Sequence, residues 1–167
     1  MGSKKQDKEL KRLQLGIEQV NSGVSFWSND NKLIYANKFL RDFTKKSTGY
    51  DLVAGTDRVE FLEHSVSKGF ISYGERTARE VHESFMELID QSEKGANLEF
   101  TTESKGKKEF WLNTAFRLQS GDWMQIITDI SFQKKRESEL NRLYEAIDKM
   151  SGGIIVWDKN HTVSYTH

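Results

Sequence analysis

The chain contains neither cysteine nor proline. Without a thiol it has no disulfide, no thiolate nucleophile and no cysteine-ligated metal. Without proline it lacks every recognition motif built on that residue. Any excess of charge is missing too. Its 25 basic residues balance 25 acidic ones, so no global field steers it toward nucleic acid or an anionic surface. No apolar run approaches the ~20 residues of a membrane span, and the first eleven residues lack the apolar centre of a secretion signal. A cytoplasmic location is the expectation. Glycine-rich phosphate loops are also absent. What is present is 167 residues, 36% hydrophobic and 11% aromatic, enough for one globular core with polar extensions.

The feature that organises the chain is a repeat. Glu9, Leu10, Arg12 and Leu13 recur without a gap as Glu139, Leu140, Arg142 and Leu143. Further on, Ile17 matches Ile147, Gly23 matches Gly153, Trp27 matches Trp157 and Tyr35 matches Tyr165. A self-match at a fixed offset names the structural unit. Here the unit is a helix, a break containing glycine, and a strand hairpin. Both copies open with apolar residues three, four and three apart, Leu10, Leu13, Ile17, Val20 and then Leu140, Leu143, Ile147, Met150. Such an a/d seam suits pairing between subunits, and equally suits a helix resting on its own domain.

Between the copies, Val24 to Trp27 and Lys32 to Ala36 read as strands around the turn Ser28-Asn29-Asp30-Asn31. Asn37 to Phe43 is a short helix, and Thr44 to Gly74 holds short helical turns. Glu75 to Ser92 is the longest internal helix, with a stripe of Ala78, Val81, Phe85, Leu88 and Ile89. Gly95 ends it. Three strands follow, Leu98 to Glu103, Lys108 to Leu118 and Trp123 to Ile130. In the middle one Phe110, Leu112, Thr114 and Phe116 alternate with Trp111, Asn113, Ala115 and Arg117, and the phenylalanine face is the more apolar. The order predicts an α+β fold, a five-stranded antiparallel sheet with helices clasped over one face and a cavity between.

These residues resemble a bacterial PAS domain, the sensory module of histidine kinases and diguanylate cyclases. Gly23 to Trp27 with Asp30 and Leu33 to Asn37 is similar to its opening hairpin and closing Asn. Ser120-Gly121-Asp122-Trp123 and Ile126 to Ser131 are similar to its last hairpin and Asp-Ile-Thr junction, with Ser in place of Thr. The resemblance implies an N-terminal amphipathic helix at 1–20, a PAS domain at 21–131, a linker helix at 132–150 and the start of a second PAS domain at 151–167. It implies a sensory and dimerisation module of a larger signalling protein, a histidine kinase ahead of a diguanylate cyclase. The alternative is a protein-interaction PAS domain that holds no small molecule. Expected partners are a second copy, through Leu10, Leu13, Ile17 and Val20, and downstream PAS and output domains in the same chain. Asp129, Ile130 and Ser131 become the signal junction. Asp129 can accept from backbone N–H groups and Ser131 can cap the helix, and both equally suit a plain helix cap.

Candidate chemistry is sparse. His82 lies on the apolar stripe and is the sole candidate axial haem ligand implied by the family, with a core histidine the favoured reading. A cysteinyl-flavin adduct is excluded, and no cofactor is the expectation. His82-Glu83 lacks the proline of a phosphoacceptor motif. Glu60, Glu63 and His64 lack the first histidine of a zinc helix. No pair of groups suits catalysis. The candidate ligand cavity is lined by Phe26, Phe39, Phe43, His82, Phe85, Phe110 and Phe116, and these either fill it or enclose a small apolar or carboxylate ligand.

Overall fold

Capping residues set most of the element boundaries in the computed structural model, which describes residues 2–149, 155–157 and 163–166. Helix α1 (Gly2–Glu18) precedes strands β1 (Gly23–Trp27) and β2 (Leu33–Ala36). Asn31, at φ 62, makes the turn between these strands. Helix α2 (Lys38–Thr48) starts where the Asn37 side chain accepts from Leu40 N–H, and stops at Gly49, whose φ of 75 closes it. It runs five residues past the expected Phe43, because the helix continues until that glycine. Asp57 caps α3 (Arg58–Ser67). Thr77 and Glu80 form a capping box on α4 (Ala78–Gln91).

Strands β3 (Ala96–Ser104), β4 (Lys107–Arg117) and β5 (Trp123–Asp129) complete an antiparallel sheet of order β2-β1-β5-β4-β3. The tight turn between β3 and β4 has positive φ at both Lys105 and Gly106, which matches the twist of the strands it joins. The two chain-distant hairpins meet where β1 pairs with β5, Gly23 opposite Ile127 and Trp27 opposite Trp123. Helices α2, α3 and α4 pack on one face of this sheet, as the strand and helix order predicts. The buried core there includes Trp27, Leu40, Phe85, Ile89, Trp111 and Trp123.

One expectation is inverted. The inward face of β4 carries Trp111, Asn113 and Ala115, all buried, while Phe110, Leu112, Thr114 and Phe116 are half-buried on the outer face. The reason is hydrogen bonding and bulk together. Trp111 Nε1 donates to Thr102 Oγ1 at 2.9 Å inside the core, and Ala115 leaves room there for the stacked indoles of Trp27 and Trp123. Leu88 is likewise 48% exposed and does not belong to the buried stripe of α4.

Helix α1 is tied down at its last turn. Glu18 accepts from the Tyr35 hydroxyl at 2.7 Å and from Lys38 N–H at 2.6 Å, and Asn37 Nδ2 donates to Ile17 O at 3.0 Å. Leu10, Leu13 and Val20 remain exposed, and Ile17 is half-buried.

A second unit, Ser131–His167, holds α5 (Ser131–Asp148), β6 (Ile155–Trp157) and β7 (Val163–Thr166). Its hairpin pairs Val156 with Tyr165 and Trp157 with Val163, with a bulge between Val156 and Trp157. The first hairpin pairs Phe26 with Tyr35 and Trp27 with Leu33, with its bulge between Phe26 and Trp27. The repeat read from the sequence is thus reproduced in strand register. Met150 and Gly153, both part of that repeat, lie outside the described residues.

Candidate functional site: a cavity with a buried cation

The site begins at the start of α3. Asp57 spends its carboxylate on Val59 N–H, Glu60 N–H and the Lys32 ammonium, at 2.9, 3.0 and 3.0 Å, and those bonds hold its pKa below the usual carboxylate range. The next residue, Arg58, has its N–H bonded to Asn31 O and its side chain turned into the core, where it is 6% exposed. The guanidinium carbon lies 5.0 Å from the ring centre of Trp27, 5.6 Å from Phe61 and 5.9 Å from Trp123. Trp27 and Trp123 stack on each other at 5.5 Å and 13°. No carboxylate among the described residues pairs with Arg58, and its Nε has no hydrogen-bond partner. Burial pushes its pKa down to about 10, which leaves it charged at neutral pH. A desolvated cation–π contact contributes about 2 kcal/mol, whereas burying an ion costs several. The aromatic cage alone does not balance the charge.

Three further polar groups face the same space without partners. Gln125 is 1% exposed and its orientation is set by a relay. Trp27 Nε1 donates to Ser25 Oγ at 2.9 Å, and the Ser25 hydroxyl then donates to Gln125 Oε1 at 3.3 Å. The Gln125 amino group is left over, a donor with no acceptor. Asn113 Oδ1 and both ring nitrogens of His82 are also unsatisfied. Burial and the Arg58 charge push the His82 pKa down to about 4, so the ring is neutral. Buried polar groups are nearly always bonded, so four such side chains around one space mark it as a site. That space is a cavity of about 70 Å³, lined further by Phe43, Phe61, Tyr73, Phe85, Leu98 and Phe100. His82 also borders an open cleft with Asp30, Asp57, Arg79, Glu83, Glu87 and Asp90.

Of the sequence-predicted cavity residues, the fold brings Phe43, His82 and Phe85 to the wall. Phe39 stacks on Phe43 from outside the wall. Phe26, Phe110 and Phe116 lie on the outer face of the sheet, two of them for the reason given for β4, and Phe26 because Trp27 takes the inward position beside it. Haem does not fit. A cavity of about 70 Å³ is far below the ~300 Å³ at which drug-sized sites begin, and the His82 ring lies against Trp123, centres 6.4 Å apart.

Arg58, Asn113 and Gln125 escape a reading of the sequence. Arg58 stands beside a capping Asp and looks like an ordinary surface charge on a short helix. The available signal is period-two position. Asn113 shares a strand face with Trp111, and Gln125 shares one with Trp123, so the largest side chains carry these amides inward. At the junction, Asp129 is exposed at the end of β5 opposite Trp111. Ile130 is buried and its N–H donates to Phe110 O at 2.8 Å, and Ser131 opens α5.

No family model and no curated protein matches the chain. Solved structures do. The PAS domain of Bordetella pertussis BvgS is 13% identical, covers 87% of this chain and 99% of its own, and superposes with a TM-score of 0.50. The phage VqmA–DPO complex is 12% identical with a TM-score of 0.53, over 86% of this chain and 63% of that one. The PAS domain of an HTR-like protein from Haloarcula marismortui is 16% identical, with 77% and 97% covered and a TM-score of 0.48. With its strand order, its helices on one face and its central cavity, the unit Met1–Ile130 has the PAS fold.

Proposed function

We propose that the protein is a PAS sensory and dimerisation module of a multidomain signal-transduction protein, passing a conformational change from the cavity to α5. The observation that carries this is the position of β5. Gln125 and Ile127 stand in the cavity wall, and four residues after Gln125 the same strand ends at Asp129, beside Ile130 and Ser131, where α5 starts. A ligand that reorganises Gln125 therefore acts on the strand that feeds the helix. The parent is a sensor histidine kinase in this reading, with a diguanylate cyclase as the other output, and the repeated hairpin at β6 and β7 is the opening of a second PAS domain. No helix of the described residues is long and apolar enough to cross a membrane, and we place this module in the cytoplasm.

Amide hydrogen exchange tests the transmission. Asp129 is exposed, so Asp129→Ala is expected to cost less than the ~1.5–3 kcal/mol of a buried charged hydrogen bond. Exchange should rise in residues 131–137 while β1, β4 and β5 stay protected. A uniform rise across the sheet would make Asp129 a stability residue and end the transmission reading. A protein-interaction module without a small molecule is favoured by a different observation, the exposed Leu10, Leu13 and Leu15 of α1. Native mass spectrometry separates the two, since a sensor retains or takes up a small molecule and an interaction module does not.

A further inference from the structure

The unsatisfied groups in the cavity are specific enough to name a ligand class. Arg58 supplies a cationic donor, its Nε unpaired, and the Gln125 amino group is a second donor held by the Ser25 relay. Two donors in one cavity wall, one of them cationic and both 94% or more buried, suit an oxyanion. Asn113 Oδ1 is an acceptor without a donor, and a neutral His82 offers one donor and one acceptor. The remaining wall is aromatic and aliphatic. Size sets the upper bound. A dry cavity of about 150 Å³ takes benzene, so about 70 Å³ restricts the ligand to a few heavy atoms.

We infer that the cavity binds a small carboxylate of about three or four non-hydrogen atoms, the size of formate or acetate. Arg58 and the Gln125 amino group hold the carboxylate, and its carbon end lies against Phe85 and Leu98. Water alone leaves the cation without a counter-charge, whereas a carboxylate meets both the charge and the geometry. The inference rests on the reading of the cavity as a sensory site and adds the chemistry that the site selects.

Isothermal titration of the 167-residue chain with formate and acetate is the test, with lactate, chloride and the neutral acetamide as comparisons. Formate or acetate should bind with micromolar to millimolar affinity, lactate more weakly, and acetamide not measurably. Arg58→Met should weaken acetate binding at least about 30-fold, the effect of losing a charge-assisted hydrogen bond. The same substitution should raise the melting temperature of the ligand-free protein, because it removes an uncompensated buried charge and fills its volume. A purely structural Arg58 predicts the opposite, a lower melting temperature with binding unchanged. If Arg58→Met does not fold, Gln125→Met decides, and it should weaken acetate about tenfold. Failure of both formate and acetate to bind, tighter binding of chloride, or equal binding of acetamide overturns the inference. Binding of acetate without any change in exchange over residues 131–137 leaves the ligand class standing and removes the sensory reading instead. Retention of a neutral small molecule with no carboxylate binding does the reverse.

Discussion

His82 ties stability to pH through its burial. The folded state holds its pKa near 4, by burial first and then by Arg58, with Asp57 pulling it back up and Arg79 pressing it further down. The ordinary value is 6.5. Above pH 6.5 neither the folded nor the unfolded ring is protonated and the full stability is present. Between 6.5 and about 4 the unfolded chain binds a proton that the folded one refuses, so stability falls as pH falls. The loss reaches up to about 3 kcal/mol by pH 4. Urea midpoints at pH 7 and 4.5, compared between the natural chain and His82→Leu, should isolate this share, and parallel pH curves for the two would contradict it. Asn37 matters for a different reason. It is fully buried, accepts from Val24 N–H and Leu40 N–H, and donates to Ile17 O and Ser22 O, so one side chain joins α1, β1 and α2. Asn37→Ala strands these groups and should cost about 3 kcal/mol or more in urea unfolding. The sequence singles out Asn37 through its resemblance to the closing Asn of a PAS hairpin, a local pattern, while its capping of α2 comes from the structure. Arg58 stays hidden in the sequence because its role depends on Trp27 and Trp123 stacking nearby, and no local pattern encodes a contact made across the fold.

Helices and strands were legible in proportion to how local their causes are. The capping Thr77 with Glu80 fixes the start of α4 through neighbouring residues, so the helix falls within a few positions of its expected span, although it ends at Gln91 with Ser92 as its cap, ahead of the expected Gly95. Which face of β4 turns inward was not legible by apolar count. Four residues on one side, two of them phenylalanine, outweigh Trp111, Asn113 and Ala115 in hydrophobicity, yet the indole hydrogen bond to Thr102 and the space opposite the Trp27–Trp123 stack decide the matter. The outer face that results carries Phe116, Met124 and Ile126 half-buried, and on α1 Leu10 and Leu13 stand 65% and 67% exposed. If α1 pairs between subunits, sedimentation should give a dimer at micromolar concentration. Leu10→Asp with Leu13→Asp should give a monomer with an unchanged melting curve, because neither residue supports its own fold. A concentration-independent monomer before mutation would exclude the pairing.

At the scale of the whole molecule, the sheet closes through β1 and β5, whose paired Ser25 and Gln125 are a hundred residues apart. The repeat gives β5 a second suitor. Strand β6 shares the register and the bulge of β1 and follows β5 after a single helix. Closing the shorter loop is favoured by about 1 kcal/mol of chain entropy, from the logarithmic dependence on loop length. During synthesis this advantage never operates, because β1 and β2 have emerged and waited long before β6 exists. Dilution from denaturant removes the order of arrival, and both hairpins then compete for one edge of β5. Stopped-flow refolding of the whole chain should therefore show a slow phase that disappears when the chain ends at Asp148. Identical kinetics for the two lengths would show that the second hairpin does not trap the first. A slow phase of this kind usually invites blame on prolyl isomerisation, and a chain without a single proline leaves mispairing to answer for it.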